Sequence, residues 1–260
     1  LSFDEPVIAL AGSHAKGMAD INSDIDIFVF CSNPKPFYER KKLIEDFCKN
    51  PNDCYISENF DFPWGGTVDF IYKDMHVEVV VRLISKTEEI IARCLEGDFE
   101  IIPQTWTSNG YYTYIYLSEI NFLKPICDNF KWLEKNKRKV KQYPQKLKQA
   151  IISTFIARAG TWINNFHYES AIIRQDCMFI SPIIIHTLMD MIQVIFAINE
   201  VYFTGDKKIE TMLYKMPYCP EKLLPNLTLL LSAPTDVVLL KNQAEILKDI
   251  YYELIKKQRL

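Results

Sequence analysis

Apolar and polar positions fall into two rhythms along the chain, and the change comes near residue 128. Before it, apolar runs of strand length occupy residues 7–11, 25–31, 67–72 and 76–83, each bounded by turn-forming or polar segments. The last of these alternates. Val77, Val79, Val81 and Leu83 form one face, and His76, Glu78, Val80 and Arg82 the other. The charged stretch 36–49 and residues 87–95 read as helices, and 109–128 as a short helix followed by a last strand. Pro63-Trp64-Gly65-Gly66 marks the turn into the strand at 67, with Trp64 either a packing plug or an aromatic lining a cleft.

After residue 128 the spacing is helical. The lysine-rich stretch 131–148 reads as a solvated face or connector, with Pro144 suited to the first turn of a new helix. Leu147, Ile151, Ile152, Phe155, Ile156, Ala159 and Trp162 then recur at helical intervals. Further helices are expected at 183–200, at 220–231, and from Thr235, a candidate N-cap, to the end. The pattern predicts an α+β fold, with a mixed-sheet lobe over residues 1–128 and an all-helical lobe over 129–260. No internal repeat interrupts it.

Composition narrows the class. At 260 residues and 48% hydrophobic the chain can bury a core, and a net charge of −3 provides no global basic field for a long nucleic acid. No uninterrupted apolar stretch approaches a membrane span, and Leu1 opens no charged-then-apolar leader. Seven cysteines without a Cys-x-x-Cys pair are expected to be reduced thiols in a cytoplasmic protein.

The chemistry concentrates where Ala11-Gly12-Ser13-His14 is followed, ten residues after Ser13, by Asp24-Ile25-Asp26 at the start of a strand. Two residues apart on a strand, the carboxylates share a face and repel, so a hard cation between them is the natural counter-charge, and Mg2+ suits an all-oxygen donor set shared with phosphates. Gly12-Ser13 breaks the preceding strand where a backbone can approach a phosphate. Glu78, a glutamate within a β-branched run, needs a partner: it is the candidate third metal carboxylate, the general base, or both, unless it simply pairs with Arg82 on the same face. Asp69 competes with it and is expected nearer the rim.

Gly-Ser, ten residues and Asp-x-Asp between two strands resembles the nucleotidyltransferase superfamily, which includes DNA polymerase beta-like enzymes and the antibiotic adenylyltransferases. The resemblance implies that Gly12 and Ser13 hold a nucleoside triphosphate, most simply ATP, while Asp24, Asp26 and Glu78 serve the metal and the chemistry. Lys16, inside the spacer, is a further phosphate candidate. The helical lobe resembles that of the streptomycin- and spectinomycin-type enzymes, where a helix-end Gly-x-Lys meets the triphosphate, which would fall on Lys207, or on Lys208 beside it. By the same resemblance the product is AMP on a hydroxyl of an aminoglycoside or lincosamide, plus pyrophosphate. A cationic drug would need spare carboxylates, for which Glu96, Asp98, Glu100, Glu169 and Asp190 are available. Two other readings remain open: transfer to RNA or a protein hydroxyl, as antitoxin-type enzymes do, and a non-catalytic nucleotide-binding regulator. A monomer and a homodimer are both compatible with the sequence.

Overall fold

The structure, a computed structural model, describes residues 1–48, 53–60, 62–105, 107–234 and 236–258. The chain divides into two compact units: one comprises Leu1–Leu95, Phe99–Ile102 and Tyr111–Gln142, the other Glu96–Asp98, Pro103–Gly110 and Tyr143–Leu260.

In the first unit the order is β1 (Val7–Leu10), α1 (Gly12–Lys16), β2 (Ile25–Cys31), α2 (Phe37–Phe47), β3 (Tyr55–Ile56), β4 (Gly66–Tyr72), β5 (Met75–Leu83), α3 (Ile84–Leu95), β6 (Ile101–Ile102), β7 (Tyr111–Tyr112), α4 (Ile115–Phe122), β8 (Lys124–Cys127) and α5 (Trp132–Val140). Six strands form one mixed sheet in the order β3-β4-β5-β2-β1-β8. β2 runs parallel to β5 and antiparallel to β1, and β4 returns antiparallel on β5. Lys73 and Asp74 turn that hairpin, both with positive φ (49° and 67°), the geometry that matches the strands' right-handed twist. One sheet face packs Val29, Cys31, Val68, Val77, Val79 and Val81 against Ile44 of α2. On the other face, towards the strand ends, Arg82 is bonded to Glu119 of α4, and Phe30 lies 4.8 Å from Trp132 of α5. At the beginnings of β2 and β5, Asp24, Asp26 and Glu78 keep partial solvent access.

The second unit is helical: α6 (Gln145–Gly160), α7 (Phe166–Arg174), α8 (Cys177–Ile198), α9 (Ile209–Leu213), α10 (Leu227–Leu231) and α11 (Val237–Lys257). α6, α7 and α11 pack around α8. By length and mean hydropathy α8 could cross a membrane, although polar residues such as His186, Asp190 and Gln193 interrupt its apolar run. It is instead a core helix, with 72% of its most apolar window buried. Thr235 lies outside the described residues; the cap on α11 is Asp236, whose carboxylate accepts from the Leu239 N–H at 2.9 Å.

Other departures have local causes. The stretch expected as a connector contains α5, whose Leu133 and Val140 are buried, because two apolar positions a helical interval apart suffice to dock an otherwise charged helix. α8 begins ahead of the expected 183 and carries Pro182 inside it. Pro144 precedes α6 as its N-cap residue. The short β3, β6, β7, α7 and α9 were not anticipated, and the two-residue strands are too brief for a periodic signal. Cys48 and Cys54 are joined, which corrects the expectation of seven thiols, while five cysteines are free.

Candidate active site

Strand register assembles the acidic cluster. The parallel pairing sets Asp26 opposite Glu78, and the β4–β5 hairpin sets Asp69 opposite Glu78 on its other side. Cross-strand partners share a face, so Asp26, Glu78 and Asp69 form a row across three adjacent strands, with Asp24 joining Asp26 from two residues upstream. One oxygen each from Asp24, Asp26 and Glu78 lies within 4.8 Å of the others. His76 brings Nδ1 to 3.9 Å from Asp24 Oδ2.

The electrostatics follow. Burial, reinforced by Asp69, Asp26 and Asp24 and opposed by His76, pushes the Glu78 carboxyl up to about 7. Burial also raises Asp69, which His76 partly offsets. Three converging carboxylates are a hard, all-oxygen donor set that fits a Mg2+ ion sharing its coordination with phosphate. Asp69 therefore stands beside Glu78 in mid-strand rather than at a rim, but outside the trio. The competing partner for Glu78 is engaged elsewhere: Arg82 pairs with Glu119 at 2.5 Å and donates to the Trp64 carbonyl at 2.7 Å. Trp64 stacks on Phe62 at 5.0 Å, which favours its reading as a packing residue.

The Gly12-Ser13 turn is the start of the short α1. Gly12 has φ +56°, and an added Cβ would fall on the Asp26 carboxylate, so the bare backbone here leaves room for that side chain. The Ala11 N–H donates to the Asp26 carbonyl at 2.8 Å, fixing the end of β1 against β2. The Ser13 hydroxyl is buried with no hydrogen-bond partner among the described residues. Lys16, on the same short helix, is half-buried; burial lowers its ammonium, while Glu119 and Asp26 favour its charge.

Lys207 and Lys208 belong to the helical unit, both exposed, with Lys208 in the left-handed region ahead of α9. The Asn199-Glu200 pair before them is structural: Asn199 bonds the Tyr218 backbone through both ends of its amide (2.7 and 2.9 Å), and Glu200 accepts from Lys148 at 2.8 Å. Of the spare carboxylates, Glu96 pairs with Lys146, Glu100 with Arg93 and buried Asp190 with Arg158, while Glu169 is exposed. Sequence reasoning did not single out Glu119. Its only early signal was an acid on a Tyr-rich helix, and its partner Arg82 is 37 residues away.

Residues 6–88 match the family model described as nucleotidyltransferase domain. No curated protein matches the chain. Among solved structures, a nucleotidyltransferase-like protein from Exiguobacterium sibiricum aligns with a TM-score of 0.48 and 9% identity, over 98% of this chain and 70% of that one. The matched residues contain α1 and the two strands that carry the acidic trio, and together they support a transferase enzyme whose chemistry is nucleotidyl transfer.

Proposed function

We propose that the protein catalyses Mg2+-dependent transfer of a nucleotide, AMP from ATP, to a hydroxyl of a small molecule, an aminoglycoside or lincosamide antibiotic, releasing pyrophosphate. The observation that carries this reading is the convergence of Asp24, Asp26 and Glu78 inside the matched nucleotidyltransferase domain. Asp24, Asp26 and Glu78 would hold the metal, which when bound offsets the charge developing on the α-phosphate and the leaving pyrophosphate. Ser13 donates its unpartnered hydroxyl to a phosphate oxygen, and Gly12 keeps the backbone clear of Asp26. Lys16 pairs with the triphosphate, and Lys207 or Lys208 is the further phosphate candidate by the family resemblance. Glu78 accepts the proton of the attacking hydroxyl. The oxygen–phosphorus bond to the acceptor forms as the bond to pyrophosphate breaks, so the acceptor gains AMP.

A small acceptor is supported by a net charge of −3, which leaves no basic field to collect a polymer's phosphates. The test is mass spectrometry of acceptors after incubation with Mg2+ and each nucleoside triphosphate, across aminoglycosides, lincosamides and an RNA pool. An AMP adduct on one antibiotic class is the expected result. An adduct on RNA alone, or on protein, would replace the acceptor assignment, and ATP binding with no adduct on any acceptor would favour a regulator.

A further inference from the structure

We propose that the helical unit holds a ligand site of its own: the cavity between α7 and α11 takes a small apolar molecule carrying one anionic group. The proposal stands apart from the acceptor reading above.

The cavity measures about 340 Å3, within the range of small-molecule sites, and every residue lining it belongs to the helical unit. Its α11 wall is Lys241, Ala244 and Lys248, three and four residues apart and so on one helix face. Ala244 is the small member, and the space beside it is where a larger side chain would close the seam. The α7 wall is Tyr168, Ile172 and Ile173, joined by Trp162 from the turn after α6. These walls are held by the protein itself. The Asn165 side chain caps α7 by accepting from the His167 and Tyr168 N–H groups, and the Asn164 amide donates to the Tyr252 hydroxyl at 2.6 Å. The Trp162 ring packs edge-on against Tyr168 at 6.5 Å and Phe179 at 5.9 Å. Walls fixed in advance lower the ordering cost of binding.

The polar groups decide the charge of the ligand. Tyr168 is 5% exposed, and its hydroxyl is buried with no hydrogen-bond partner among the described residues. Burial pushes it up to about 12, so it remains a donor at neutral pH. Lys241 and Lys248 make no ion pair or hydrogen bond among the described residues, and an ammonium can only donate. Of the two acids at the cavity, Glu245 stands one helical turn before Asp249 and shares the field of its partner Lys222, and Glu169 is the acid of the α7 side. The uncompensated groups are therefore mostly donors, which an anionic, acceptor-rich group complements, while Ile172, Ile173 and Trp162 receive the apolar body.

Fluorescence titration of the full chain with anilinonaphthalene sulfonate, an apolar anion, and with uncharged phenylnaphthylamine tests the proposal, with thermal melting as the control for folding. Wild type is expected to bind the sulfonate saturably at one site, with no displacement by excess MgATP. The double variant Lys241→Met/Lys248→Met should bind the sulfonate roughly five- to ten-fold more weakly and the uncharged probe unchanged. Ala244→Phe, which fills the cavity, should weaken both probes by about ten-fold or more. Four results would each overturn the proposal: no saturable binding by wild type, displacement by MgATP, equal effects of the lysine double variant on the two probes, or unchanged binding in a folded Ala244→Phe protein. If Ala244→Phe does not fold, Ile173→Glu takes its place: this exposed position on the cavity wall would then carry a charge that repels the sulfonate, and unchanged sulfonate binding would overturn the proposal equally.

Discussion

Glu78 is held where its charge costs most, half-buried between Asp26 on one strand and Asp69 on the next. Glu78→Gln removes that charge without changing shape. It should leave the metal-free protein as stable or slightly more so by thermal melting, while cutting nucleotidyl transfer at least 100-fold, a typical loss for an essential catalytic group. A variant that melts normally and turns over at the wild-type rate would show that Glu78 is not in the reaction. Gly12→Ala tests the neighbouring turn. A Cβ there collides with Asp26 at a φ of +56°, so both stability, by about 1–3 kcal/mol, and turnover should fall. At this scale the sequence was informative where spacing alone decides, as for Asp24 and Asp26. It was silent where a partner comes from another element. The β5 alternation placed Glu78 and Arg82 on one face but could not say that Arg82 would be taken by Glu119 of α4.

At the scale of elements, the acidic site depends on β2 and β5 being parallel and in one register, because a slip of one residue would turn Glu78 to the α2-covered face. Both strands were legible from their apolar runs. Their pairing was not, since residues 32–74 separate them and periodicity does not encode register. α8 offers a separate test. Burial pushes the Asp190 carboxyl up to about 6 despite the opposing Arg158, 3.2 Å away. Its folded value exceeds the unfolded one, so this group's contribution to stability is full below about pH 4 and is lost as pH rises through about 6. Asp190→Asn should therefore match wild type near pH 4 and be more stable by about 1–3 kcal/mol at pH 8, read as melting temperature against pH. A stability gain that is constant across that range would show that burial of the charge is not the cause.

Across the whole molecule, the change of rhythm near residue 128 announced an α+β chain, and the structure has a mixed-sheet unit and a helical unit. What the rhythm could not announce was the small structure, β3, β6, β7 and α9, whose lengths of two to five residues are too short for a hydrophobic repeat to show. The global charge of −3 carries a prediction about the acceptor. Turnover on a small molecule should change less than about three-fold between 50 and 200 mM salt, whereas a polymer acceptor contacted at 6–10 phosphates would lose about 1,000-fold or more in affinity. The central claim is that Asp24, Asp26 and Glu78 work together on a metal-bound nucleotide. It is tested most directly by pyrophosphate release across a Mg2+ titration, with ATP and the acceptor panel present, for wild type and Asp26→Asn. Saturable, Mg2+-dependent release by wild type, reduced at least 100-fold in a normally folded Asp26→Asn protein, is the predicted result. Equal release by both, or release that ignores Mg2+, would contradict it.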